Sequence, residues 1–271
     1  MNKPEEASPV TLDDLKTLMD RLRGEGGCPW DRKQNTESLK IYLLEETYEL
    51  VDALDRRAAA EVREELGDLL FQIVFLARVF EEQGDFDLSQ VIRGIHEKMV
   101  RRHPHIFGET RWEKAEEVVR GWQDIKAREK KGQDPFESIP ALTPALLKAH
   151  RVSQRAAGLG FDWPHTEAVL AKVSEELKEL EEAIGNKNQA AAEEELGDLL
   201  FALVNLGRFL GTTAENALRR TIQKFLGRFR SMLASPGFKN RQAASLTPEE
   251  WESLWEESKN QKSHQEGRSE K

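Results

Sequence analysis

The chain has 271 residues, of which 38% are hydrophobic and 33% charged, with a formal net charge of −9 and a single cysteine, Cys28. That length permits one or two domains with a real core. The negative balance argues against a general nucleic-acid-binding surface, and one cysteine excludes an intramolecular disulfide.

Taken in chain order, Thr11 predicts the start of a first helix, with Asp14 three residues on completing a capping box. A Gly and Pro loop follows from Gly24 to Asp31, in which Cys28 beside Pro29 and Trp30 reads as packing. Next comes an acidic helical hairpin, which Gly84 ends, and a helix from Leu88 to Arg102 stopped by His103-Pro104-His105. The apolar stretch Leu69 to Phe80 is interrupted by Gln72 and Arg78 and falls far below the ~20 residues of a membrane span. Lys130 to Pro144, with Pro135, Pro140 and Pro144, reads as a linker. From Ala145 the order repeats: a helix, a Gly-rich loop ending at Trp163-Pro164, a second acidic hairpin and a basic helix. Residues 259–271 are polar and are expected to form a disordered tail. The expected fold is therefore all-α, a tandem repeat of two related helical-bundle halves at 11–129 and 145–258 joined by the linker 130–144. With no signal peptide in Met1 to Val10, the expected setting is the cytoplasm, without nucleic-acid or membrane partners.

The two hairpins carry the same acids. Glu45, Glu46, Glu49, Glu65 and Asp68 recur as Glu175, Glu176, Glu179, Glu195 and Asp198, each offset by 130, and EELGDLLF stands unchanged at 64–71 and 194–201. Glu176 to Glu179 and Glu195 to Asp198 are steps of three, which put both side chains of each pair on one helix face. Gly185-Asn186-Lys187-Asn188 predicts the turn between them. Lys187 is the midpoint of both 179/195 and 176/198, so equal rise along antiparallel helices brings four carboxylates to one level. In the first half the same midpoint falls on Arg57. Facing carboxylates repel unless they are protonated or neutralised by cations. An oxygen-only set selects Mg²⁺, Mn²⁺ or Ca²⁺ over zinc. The plainer alternative, Glu-rich helices as solvated faces, is weakened by the recurrence of the whole cassette.

EExxE, a spacer and ExxD, given twice, resemble the MazG family of nucleoside triphosphate pyrophosphohydrolases, in the all-α NTP pyrophosphatase group. The segments GGCPWDRKQNTESL at 26–39, KMVRRHPHIFGE at 98–109 and GLGFDW at 158–163 extend the resemblance. It implies two MazG-like halves and magnesium ligands at Glu176, Glu179, Glu195 and Asp198, and by repeat at Glu46, Glu49, Glu65 and Asp68, with Mn²⁺ as a substitute. It further implies hydrolysis of nucleoside triphosphates to monophosphate and pyrophosphate, a housecleaning role in the nucleotide pool, a homodimer and catalysis in the second half. Glu175 is a candidate for orienting water.

Basic and aromatic residues repeat as well. Lys98 and Arg102 match Lys224 and Arg228 at an offset of 126, and Trp122 and Lys126 match Trp255 and Lys259 at 133. Lys and Arg neutralise phosphate oxygens that a cation leaves uncovered, and Trp can stack on a base; the same residues also fit helix decoration and packing. Trp30 and Trp163, each after a glycine loop, carry the same two readings. No GxxxxGK[ST] loop, Glu-x-x-His or EF-hand loop occurs, so nucleotide binding must work through carboxylate-held metal. Alternatives are a noncanonical nucleotide or guanosine tetraphosphate as substrate, or a non-catalytic helical protein whose basic helices bind a regulatory partner.

Overall fold

The computed structural model describes residues 9–129, 132, 134–235, 237–238 and 246–266, without the side chains of residues 123, 124, 127 and 260–266. All regular structure among the described residues is helical, and the chain divides into two compact units between Glu129 and Lys130.

In the first unit, α1 (Leu12–Arg23) starts at the expected box: Thr11 Oγ1 accepts the Asp14 N–H, and Asp14 Oδ2 accepts the Thr11 N–H at 2.8 Å. The following loop turns at Gly27, where a Cβ would meet the Leu22 carbonyl oxygen at 2.2 Å, so only glycine fits. α2 (Thr36–Arg56) is capped by Asn35, whose Oδ1 accepts from the Glu37 and Ser38 N–H groups at 3.0 Å each. It is followed by α3 (Ala59–Gln83), and the two form a helical hairpin. α1 packs on α3, and the core gathers Met19, Leu39, Val74, Phe75, Ala77, Val79 and Leu88. Burying a side chain such as Phe75 contributes ~1.5–3 kcal/mol.

Gly84 ends α3 in the left-handed region, and Asp87 caps α4 (Leu88–Arg102). His103 stops α4 as expected, but Pro104 also opens a short α5 (Pro104–Phe107), because a proline is tolerated where no N–H is needed. α6 (Ala115–Glu129) lays Gly121 under the indole of Trp112; a Cβ there would sit 2.0 Å from the ring.

In the second unit the described part of the stretch 130–144 makes packing contacts. Ile139 is buried, and the guanidinium of Arg155 donates to the Pro135 carbonyl. α7 (Ala145–Gly158) leads through the Gly-rich loop to α8 (Thr166–Gly185) and α9 (Gln189–Phe209), again a hairpin. α10 (Ala214–Leu233), capped by Thr213, packs on α7, α9 and α11 (Pro248–Glu266). α11 continues to Glu266, into the stretch 259–271 read from sequence as a disordered tail, of which residues 267–271 lie outside those described. No described helix is long and apolar enough to cross a membrane.

Candidate metal-dependent active site

Each hairpin reverses at a single left-handed residue. Arg57 has φ 55° and Lys187 φ 54°, and these are the only non-glycine residues with positive φ among those described. Both are the midpoints of the acidic combs, so the turn that reverses the chain also sets the combs level.

The result is two carboxylate clusters. In the second unit, Glu176 and Glu179 of α8 and Glu195 of α9 each bring a carboxylate oxygen within 4.8 Å of the others. In the first unit, Glu46 and Glu49 of α2 and Glu65 of α3 do the same. Asp68 and Asp198 fall outside these tight sets yet act on them electrostatically: Asp68 helps raise the pKa of Glu46, and Asp198 that of Glu195. Removal from water is the larger cause in both cases, followed by like charge, and it also leads the upward shifts of Glu65 and Glu179. Protons or cations are thus drawn to each cluster. The all-oxygen donor set fits a hard divalent ion.

The clusters differ in what faces them. Lys172 on α8 reaches Glu175 Oε1 and Glu176 Oε1, both at 2.7 Å, and Glu176 is buried. This pairing holds the Lys172 ammonium well above its ordinary range. The first unit has Tyr42 at the matching position, with Trp30 set edge-on against its ring at 5.8 Å. There Gln72 takes up the contact, its Nε2 donating to Glu46 Oε1 at 3.5 Å while its own Oε1 is buried without a hydrogen-bond partner; the second unit has Ala202 instead. Neither Lys172 nor Gln72 was singled out from sequence. Lys172 lies at i, i+3 and i, i+4 from two glutamates, a signal that could have found it; Gln72 carries none.

The basic and aromatic candidates occupy the outer helices. On α10, Lys224 is exposed, and Arg228 is half-buried with its Nε lacking a hydrogen-bond partner. Trp255 of α11 packs on Phe225 at 5.1 Å, and Lys259 lies over its ring at 5.9 Å. On α4, Lys98 is exposed, but Arg102 is committed: its Nη2 and Nε donate to Glu129 Oε2 at 2.6 and 3.2 Å, and Arg101 Nε donates to Oε1 at 2.8 Å. Those contacts lower the Glu129 carboxyl to about 2. Trp122 faces His103 at 5.1 Å and Lys126 at 4.9 Å. His105 in turn tilts against Trp112, so the histidine pair is built into an aromatic cluster. Trp30 is about half exposed, at 53%. Trp163 is half-buried, on a loop pinned to α9 where Asp162 clamps Arg208.

A family model described as the MazG nucleotide pyrophosphohydrolase domain matches the chain at residues 34–107 and again at 165–232. Helical hairpins with opposed carboxylate combs, carried twice, define the class as an all-α hydrolase of the carboxylate-cluster type. The chain belongs to the MazG nucleotide pyrophosphohydrolase family. It is 46% identical over 225 residues to the nucleoside triphosphate pyrophosphohydrolase/pyrophosphatase MazG of Thermotoga maritima, covering 82% of this chain and 86% of that one. With the nucleoside triphosphate pyrophosphohydrolase of Escherichia coli K12 it shares 42% identity over 256 residues, covering 92% and 97%. The uncharacterised YabN of Bacillus subtilis is 40% identical over 251 residues, which span 90% of this chain and 51% of YabN.

Proposed function

We propose that this chain hydrolyses nucleoside triphosphates to nucleoside monophosphate and pyrophosphate, in housecleaning of the cytoplasmic nucleotide pool. The observation that carries this reading is the convergence of Glu176, Glu179 and Glu195 beside Lys172 in a chain of this family. Glu176, Glu179, Glu195 and Asp198 would hold Mg²⁺, with Mn²⁺ as a substitute, and Glu46, Glu49, Glu65 and Asp68 are the matching set. The ion supplies neutralisation of phosphate charge and a more acidic bound water.

Glu175, held by Lys172, orients the attacking water, and Lys224 and Arg228 neutralise phosphate oxygens on the departing pyrophosphate. Trp255 offers a face to the base. Arg228, whose buried Nε has no hydrogen-bond partner, is less committed to a carboxylate than Arg102, which Glu129 already occupies; this favours catalysis in the second unit. Exposed Leu170, Leu177, Leu196 and Leu200 along α8 and α9 support a homodimer that covers them.

Hydrolysis in ¹⁸O-labelled water tests the bond that breaks. Attack at the α-phosphorus labels the monophosphate and leaves pyrophosphate unlabelled. Label in pyrophosphate would place attack at the β-phosphorus, and orthophosphate as the first product would exclude the reaction. A panel of nucleotides, including noncanonical ones and guanosine tetraphosphate, then fixes the substrate.

A further inference from the structure

The two units repeat their acids, their turns and their basic helices, but they treat the key arginine differently. Arg102 and its neighbour Arg101 grip one carboxylate, Glu129 at the last turn of α6, through three hydrogen bonds of 2.6 to 3.2 Å. Both oxygens of Glu129 are engaged, and its side chain is 23% exposed against 17% for Arg102. Arg102 places Nε and Nη2 on one oxygen while Arg101 takes the other, and two guanidiniums converging on one multi-oxygen anion is also how phosphate is received.

Among the described residues Arg228, the repeat partner of Arg102, has no carboxylate hydrogen-bonded to it in this way: Glu256 feels its charge, but its Nε is buried without a hydrogen-bond partner. In sequence, the offset of 133 that relates Trp122 to Trp255 and Lys126 to Lys259 relates Glu129 to Lys262, so the repeat does not carry the glutamate over.

We infer that Glu129 is an internal phosphate mimic that occupies the cations of the first unit and thereby confines triphosphate turnover to the second. This rests on the reading that Arg228 and its counterpart Arg102 hold phosphate. Glu129 touches neither carboxylate cluster in any described contact, so it acts through Arg101 and Arg102 as a positioning residue.

The test uses the full chain with Glu179→Ala and Arg228→Ala, which silences the second unit. In that background Glu129→Gln is expected to raise magnesium-dependent triphosphate hydrolysis, and pyrophosphate binding measured by calorimetry, by about tenfold or more. Adding Arg102→Ala is expected to remove both gains. No gain in either readout, or a gain that survives Arg102→Ala, overturns the proposal. Glu129→Lys, which copies the residue of the second half, guards against a fold effect: it must give the same gain with unchanged helical circular dichroism. The underlying reading fails separately, if Arg228→Ala alone leaves turnover of the otherwise unchanged chain intact.

Discussion

Glu179 and Asp198 stand on opposite helices of the second hairpin, and each contributes negative charge that the other acids must tolerate. Replacing either by Ala is expected to abolish most magnesium-dependent turnover while circular dichroism stays helical. Without metal, losing a repelling carboxylate leaves stability unchanged or raises it. A chain lacking both that kept full activity would remove catalysis from the second unit, and the mirror pair Glu49→Ala and Asp68→Ala then tests the first. Arg228→Ala is expected to lower kcat/KM by an amount equivalent to ~1–3 kcal/mol, the cost of a charge-assisted contact. Wild-type kinetics would return Arg228 to a helix surface. Much at this scale was legible because the acids repeat: three of the four expected ligands in each half converge, and the aspartates lie just beyond. The partners of these acids were not legible. Lys172 and Gln72 do not repeat, and Glu129 is one acid among 49 whose importance depends on which arginine it meets.

The hairpin turn is the element on which the site depends. An L-residue in the left-handed region costs ~1–2 kcal/mol, and both units accept it, at Arg57 and Lys187. Lys187→Gly is therefore expected to stabilise the second unit by a few tenths to ~1 kcal/mol, the relief being partly offset by glycine's greater unfolded entropy. Lys187→Val, β-branched and unsuited to positive φ, is expected to destabilise it. Urea midpoints at constant m-value give both signs, and a loss of stability on Lys187→Gly would show that the lysine side chain contributes more than its backbone costs. The start of α1 was readable because Thr11 is a capping residue with a local partner, and Asp87 and Thr213 cap α4 and α10 in the same way. What escaped was structure with a tertiary cause. Ile139 holds down a proline-rich segment by burial, and α5 is too short for periodicity to register.

For the molecule as a whole, pH acts in two directions. Glu46, Glu65, Glu179 and Glu195 have raised pKa values, so the folded state binds protons that the unfolded chain has released. Their contribution to stability falls as pH rises from the ordinary carboxylate range through these raised values. Glu82, Glu129 and Asp162 behave oppositely: arginine partners lower them, and the stability they add above the unfolded pKa is lost as pH drops through the folded value, about 2 for Glu129. Magnesium bound at the clusters, as proposed, would compete with the first set of protons. Its stabilising effect, read as the difference in Tm with magnesium and with chelator, is expected to grow between about pH 5 and pH 7. A pH-independent difference would mean that the clusters do not take up the ion.

If the clusters hold magnesium as proposed, the lysine beside one and the glutamine beside the other would give the halves unequal tolerance of its removal. Lys172 is a tethered counter-ion that never diffuses away, so α8 and α9 carry part of their neutralisation with them. Gln72 brings only an amide, leaving α2 and α3 to depend on ions drawn from solution. Hydrogen exchange after chelation should therefore quicken first along α2 and α3, and Lys172→Gln should bring the second hairpin to the same fragility.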